Sequence, residues 1–192
     1  PELCENPEML TALTALPTSA TGVDENKSAI WFLAANPDTD DLLMQMLVDH
    51  PELRENPEML TALTALPTRG FEENKSAIWY LSADPEFSAP LIKMLGRSPK
   101  LLENEAVLRA LTALPTGSAR ADENKSAICY LVDQPQARKE LMTVLDGRAE
   151  LPDKTCRIRL EIYIRLIEER QNRFPPFFPG DRERNSLHIA SA

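Results

Sequence analysis

Apolar residues fall in short bursts along this chain, and proline closes each burst. In the first, Leu10, Leu13 and Leu16 follow at three-residue intervals with Met9 beside them. That spacing keeps one side apolar and predicts an amphipathic helix of about ten residues. Asn6-Pro7-Glu8 starts it. Asn accepts a hydrogen bond from the free N–H groups of a first turn, proline at the first helical position removes a donor that has no partner there, and Glu faces the positive end of the helix dipole. Pro17 ends it, because the residue before a proline is pushed out of the helical region. A second burst, with Ile30 and Leu33 on one face and Ala29 and Ala34 nearby, predicts a helix from about Asp24 to Ala35. A third follows Asn36-Pro37 and places Leu42, Leu43, Met46 and Leu47 in one stripe.

The same three bursts then return. Pro1 to Thr18 reads PELCENPEMLTALTALPT, and Pro51 to Thr68 differs from it only by Arg54 in place of Cys4. A looser copy, PKLLENEAVLRALTALPT, runs from Pro99 to Thr116. In step with these come DENKSAIWFL from Asp24, EENKSAIWYL from Glu72 and DENKSAICYL from Asp122, at a spacing of 48 to 50 residues. The third stripe recurs as Leu91, Met94 and Leu95, and as Leu141, Met142 and Leu145. Pro90 falls inside the second copy of that helix and predicts a late start or a kink. The link between first and second helices changes length from copy to copy, which marks an exposed loop.

A period of this size predicts a stacked array, since helices this short must bury their stripes against neighbouring units. The expected fold is all-α: three tandem three-helix repeats, about 1–50, 51–98 and 99–148, forming a short α-solenoid of the right-handed type. Three helices per unit resemble armadillo and HEAT arrays across about residues 1–148. The resemblance concerns architecture. In armadillo repeats a Trp precedes a groove-lining Asn, whereas here Asn26 precedes Trp31 by five, so no peptide-clamping role is carried over. After 148 the pattern changes. RIRLEIYIRLIEER from Arg157 to Arg170 predicts a capping helix within 149–173, and the proline-rich 174–192 reads as an extended or disordered tail.

Charge narrows the partners. The net charge is −9, and the repeats through Glu150 carry −11 of it against +2 beyond. An acidic array repels nucleic-acid phosphates and favours a basic partner. No run approaches the roughly 18 apolar residues of a membrane span, and no signal-peptide pattern opens the sequence. Cys4, Cys129 and Cys156 form no metal or disulfide spacing, and free thiols fit a cytoplasmic, reducing setting.

Catalytic signatures are missing from the sequence. His50 and His188 stand apart from Cys or Asp at ligand spacing, no phosphate-binding glycine loop occurs, and the Asp40-Asp41 pair reads as a solvated helix surface. Neither a cofactor nor a metal is expected. The candidate partner-binding residues are the recurring Asn26, Lys27, Trp31, Asn74, Lys75, Trp79, Tyr80, Asn124, Lys125 and Tyr130. For the three Asn, three readings stand: a helix cap, an inward carboxamide ladder between repeats, or an outward ladder for a partner's backbone. For the Trp pair, core and contact surface both stand, and Lys four residues ahead of each predicts an ammonium over an indole. The function this points to is a non-catalytic protein- or peptide-binding scaffold for a basic segment. A helical-repeat nucleic-acid binder is the alternative, and an effector-type protein with its activity elsewhere is the third.

Overall fold

The computed structural model describes residues 6–17, 25–97, 101–102, 104–116 and 125–146. Among the described residues every regular element is an α-helix and none is a strand. The first repeat holds α1 (Pro7–Thr14), α2 (Ala29–Ala35) and α3 (Asp40–Asp49); the second holds α4 (Pro51–Glu55), α5 (Pro57–Thr64), α6 (Ala77–Ala83) and α7 (Pro85–Arg97). The third holds α8 (Glu105–Thr112), α9 (Ala127–Asp133) and α10 (Pro135–Asp146). The expected capping helix and tail lie outside the described residues.

The Asn-Pro-Glu starts behave as the sequence implies. Asn6 Oδ1 accepts from the N–H groups of Glu8 and Met9, each at 3.1 Å, and Asn56 does the same for Glu58 and Met59 at 2.8 and 3.0 Å. Asn104 repeats the cap without the proline, accepting from Ala106 and Val107. These helices stop after eight residues, at Thr14, Thr64 and Thr112. Each Thr hydroxyl donates back to the carbonyl four residues earlier, at 2.7 to 2.8 Å, and the next residue turns extended toward the proline.

Four expectations need correction. The middle repeat has four helices, because Pro51–Glu55 forms its own short turn ahead of the Asn56 cap. The second helix begins at Ala29 rather than Asp24, since Ser28 is its cap and the residues before it form a turn. In α3 the buried stripe is Leu43, Met44 and Leu47, while Leu42 points outward. The α7 start is not delayed: that helix runs from Pro85 through Pro90.

Equivalent helices lie against each other in three rows, α1–α5–α8, α2–α6–α9 and α3–α7–α10. Ile30, Leu43, Leu47, Met59, Ile78, Leu81, Leu91, Leu95, Leu111 and Ile128 are buried in one apolar cluster that runs through the rows. Polar ties also cross between repeats: Thr11 donates to Glu58, Thr68 donates to Glu25 at 2.9 Å, and Lys93 pairs with Glu140 at 3.6 Å. At Gly96 on α7 even a methyl group would overlap the Val144 side chain of α10.

Asp40 departs from the solvated pair that the sequence suggested. It is buried at the start of α3, accepting the Asp41 N–H at 2.8 Å, while Asp41 remains exposed. Burial pushes its carboxyl above the ordinary value of 3.8, helped by the nearby Asp84 and Asp41 charges and opposed by the Asp41 N–H. The folded chain therefore holds this proton more tightly than the unfolded chain. Stability contributed by that proton is lost as pH rises upward from 3.8. Asp40→Asn keeps the acceptor for Asp41 and removes the buried charge. It should raise the unfolding midpoint at pH 7, with the gain vanishing below pH 3.8. Parallel melts of both proteins across pH 3 to 8, read about every unit, check this.

Candidate functional site

The recurring ENKSAIW segment sits at the seam between repeats. Its first part is a turn. Asn26 and Asn74 are the non-glycine residues with positive φ among those described, at 65° and 64°. Asn tolerates this left-handed conformation better than most side chains do. The turn brings each Asn backbone N–H back to the proline that ended the previous helix, Pro17 at 3.4 Å and Pro67 at 2.9 Å. Ser28 and Ser76 then cap α2 and α6, each hydroxyl accepting the N–H of the Trp three residues on at 3.2 Å.

The Asn carboxamides reach across the seam. Asn26 Nδ2 donates to the Leu66 carbonyl and Asn74 Nδ2 to the Leu114 carbonyl, both at 3.2 Å. Of the three readings, the cap belongs to Ser, and the carboxamides form an inter-repeat ladder. Its rungs end on backbone carbonyls rather than on other Asn side chains. Asn124 lies outside the described residues.

The Trp side chains make a second tie. Trp31 and Trp79 are only 4% and 5% exposed. Each indole N–H donates to a backbone carbonyl of the following repeat, Trp31 to Lys75 and Trp79 to Lys125, at 2.6 Å. Each indole also meets an aromatic ring of that next repeat edge-on, Trp31 with Tyr80 at 5.2 Å and Trp79 with Tyr130 at 5.4 Å. Such pairs contribute about 0.5–1.5 kcal/mol beyond the area they bury. The expected ammonium–indole pairs are present, with Lys27 Nζ 4.8 Å above Trp31 and Lys75 Nζ 4.9 Å above Trp79. Lys27 and Lys75 are themselves buried, and Lys75 is neutralised by Glu72 at 3.1 Å. Glu72 also accepts the Tyr80 hydroxyl, so carboxylate, ammonium and the two rings form one buried-edge cluster.

The last repeat is different. Cys129 replaces the indole and lies half-buried with its sulfur 3.1 Å from the Ser126 hydroxyl. Lys125 pairs with Asp133 at 3.0 Å and lies over Tyr130 at 5.7 Å.

The expected contact set therefore divides. Trp31, Trp79, Lys27 and Lys75 are interior residues; the two indoles fasten one repeat to the next, and Asn26 and Asn74 fasten the seam from its edge. Tyr80, Lys125 and Tyr130 keep partial exposure. The structure gathers these residues by repeat junction. Among the described residues no three His, Cys, Asp or Glu side chains cluster with metal-ligand geometry, and His50 faces Glu52 at 3.0 Å. No helix among the described residues is long and apolar enough to cross a membrane.

Exposed acidic side chains recur along one row of helices. Glu8, Glu58 and Glu105 each occupy the first turn of a helix in the α1–α5–α8 row, and all three are exposed. No protein-family model, curated protein or solved structure matches the chain.

Proposed function

We propose that the chain is a non-catalytic protein- or peptide-binding scaffold whose three repeats stack as a short α-solenoid. The observation that carries this reading is the acidic row of Glu8, Glu58 and Glu105 on helices that pack side by side. The ENKSAIW side chains hold the repeats together and so fix the spacing of that row. A basic, extended segment is the partner whose charge fits it. The proposed contact surface is accordingly this edge rather than the Trp pair, because Trp31 and Trp79 are interior.

A fluorescent oligo-lysine peptide tests the reading in an anisotropy titration against the full chain. Binding is expected at low salt and should weaken as salt rises, since exposed charge attraction is screened beyond about 8 Å at physiological ionic strength. Combined Glu8→Gln, Glu58→Gln and Glu105→Gln should weaken it far more than the modest fall in melting midpoint expected from losing three charges at helix starts. Undiminished binding by the triple variant would remove the acidic row as the contact. Tight, saturable binding of single-stranded RNA instead would reject the partner class.

A further inference from the structure

Arg54 occupies a position that is Cys4 in the first repeat and Leu102 in the third. Leu102 is buried, so the fold accepts an apolar side chain there. Arg54 is almost as buried, at 7% exposure, on the short helix α4 where it packs against α3 and α5. A guanidinium stays charged in a protein, and arginine is seldom this buried without an acceptor. Among the described residues Arg54 has none: no carboxylate pairs with it, no hydroxyl or carbonyl accepts from it, and no aromatic ring lies against it. Glu52, two residues before it, faces His50 at 3.0 Å instead. The guanidinium is not sealed off. No side-chain nitrogen among the described residues is both fully buried and unpaired, so those of Arg54 keep a narrow contact with solvent. They form the floor of a small opening in the wall of the array.

The ends of the array do not account for this opening, because Arg54 belongs to the middle repeat, whose α5 lies between α1 and α8. The dipole of α4 does not account for the cation either, since a helix of five residues is too short to favour it strongly. Packing does not require it: an uncompensated buried charge is costly, and Leu102 fills the same place in the third repeat. We infer that Arg54 is the receptor for a partner's carboxylate. The planar guanidinium fork matches the two oxygens of a carboxylate. A phosphate fits the fork as well, but its second charge would meet the repulsion of the exposed Glu52, Glu55 and Glu58 close by in sequence, which favours the singly charged group. Arg54 precedes Glu58 by four residues, so no more than about 14 Å of chain separates it from the middle of the acidic row. The partner that suits both is a basic segment that carries one carboxylate, at its chain end or on an Asp or Glu side chain. The basic character of that partner rests on the proposed acidic edge; the Arg54 site stands without it.

Melting curves of the full chain test the site directly. Sodium acetate should raise the parent's midpoint more than sodium chloride of equal ionic strength, because a ligand that binds the folded chain stabilises it. Arg54→Leu should show a smaller difference between the two salts and should melt higher than the parent in chloride. Arg54→Lys keeps the charge without the fork and should also lose most of the acetate effect. An equal acetate effect in parent and Arg54→Leu would overturn the inference, as would an Arg54→Leu midpoint below the parent's, which would make the guanidinium part of the packing. An Arg54-dependent rise that is larger in phosphate than in acetate would reject the carboxylate in favour of a phosphate. Three oligo-lysine peptides then separate the sources: one amidated at its carboxyl end, one with that end free, and one amidated with a central Glu. One or both carboxylate forms should bind the parent roughly tenfold tighter than the plain amide, as a charge-assisted bidentate pair gives, and Arg54→Leu should erase the gain. Equal affinity of the three forms for the parent would also overturn the inference. Failure of every form to bind, with the acetate effect present, would count against the acidic edge and uphold the Arg54 site.

Discussion

Trp79→Ala should destabilise the chain by about 3–5 kcal/mol, the range for truncating a buried large aromatic. The indole is 5% exposed, donates to the Lys125 carbonyl, and meets Tyr80 and Tyr130 edge-on. Its removal opens a cavity at the junction of the second and third repeats and leaves the Lys125 carbonyl without this donor. Trp79→Phe separates the two contributions. It retains most of the ring and loses the N–H, so its cost should be smaller, about 1–2 kcal/mol, because the acceptor left without this donor is only part-buried. Denaturant unfolding followed by circular dichroism measures both. Burial also sets the order of effects: stability fails before any partner binding does, the reverse of what an exposed contact tryptophan would give. A Trp79→Ala midpoint equal to the parent's would mean that the indole is not what joins these repeats.

Much of the architecture can be read from the sequence, because its signals are local. Asn-Pro-Glu encodes a helix start in three residues, and the cap geometry at Asn6 and Asn56 follows from those side chains alone. The repeat period likewise implies that equivalent helices neighbour one another. Harder to read is whatever depends on the adjacent repeat. Asn26 and Ser28 are both good caps by residue type. Only the chain path shows that Asn26 occupies the left-handed turn and leaves the cap to Ser28. Trp31 is buried because Tyr80 and the Lys75 carbonyl, more than forty residues away, close over it. Asp40 follows the same logic: two adjacent acids at a helix start look solvated until packing buries one of them. Cys129 stands where the two earlier repeats hold Trp, and each of those indoles finds its partner in the following repeat, a relation that the residue types alone do not reveal.

Replacement of Asn74 by Asp should cost about 1.5 kcal/mol at neutral pH, the upper end of what one hydrogen bond contributes net, because this bond is open to solvent. Asp tolerates φ of 64° nearly as well as Asn does, so the turn itself is kept. What changes is the atom facing the Leu114 carbonyl, now an acceptor where Nδ2 donated at 3.2 Å. Two further variants divide the effect. Asn74→Gly keeps the backbone freedom and loses only the rung, so its cost should be the smallest, about 1 kcal/mol. Asn74→Val loses the rung and forces a branched side chain into the left-handed region, which adds about 1–2 kcal/mol. The Asp variant carries its own signature. A carboxylate held against a carbonyl favours its protonated form, so its folded pKa lies above its unfolded pKa. The penalty should then shrink as pH falls below about 4, where the carboxyl can donate again. The Gly and Val penalties have no such cause to follow pH. Denaturation midpoints for the three variants at pH 7 and pH 3.5 decide the matter. Equal midpoints for Asn74→Asp and the parent at pH 7 would reduce Asn74 to a turn-former and leave the seam to the indoles.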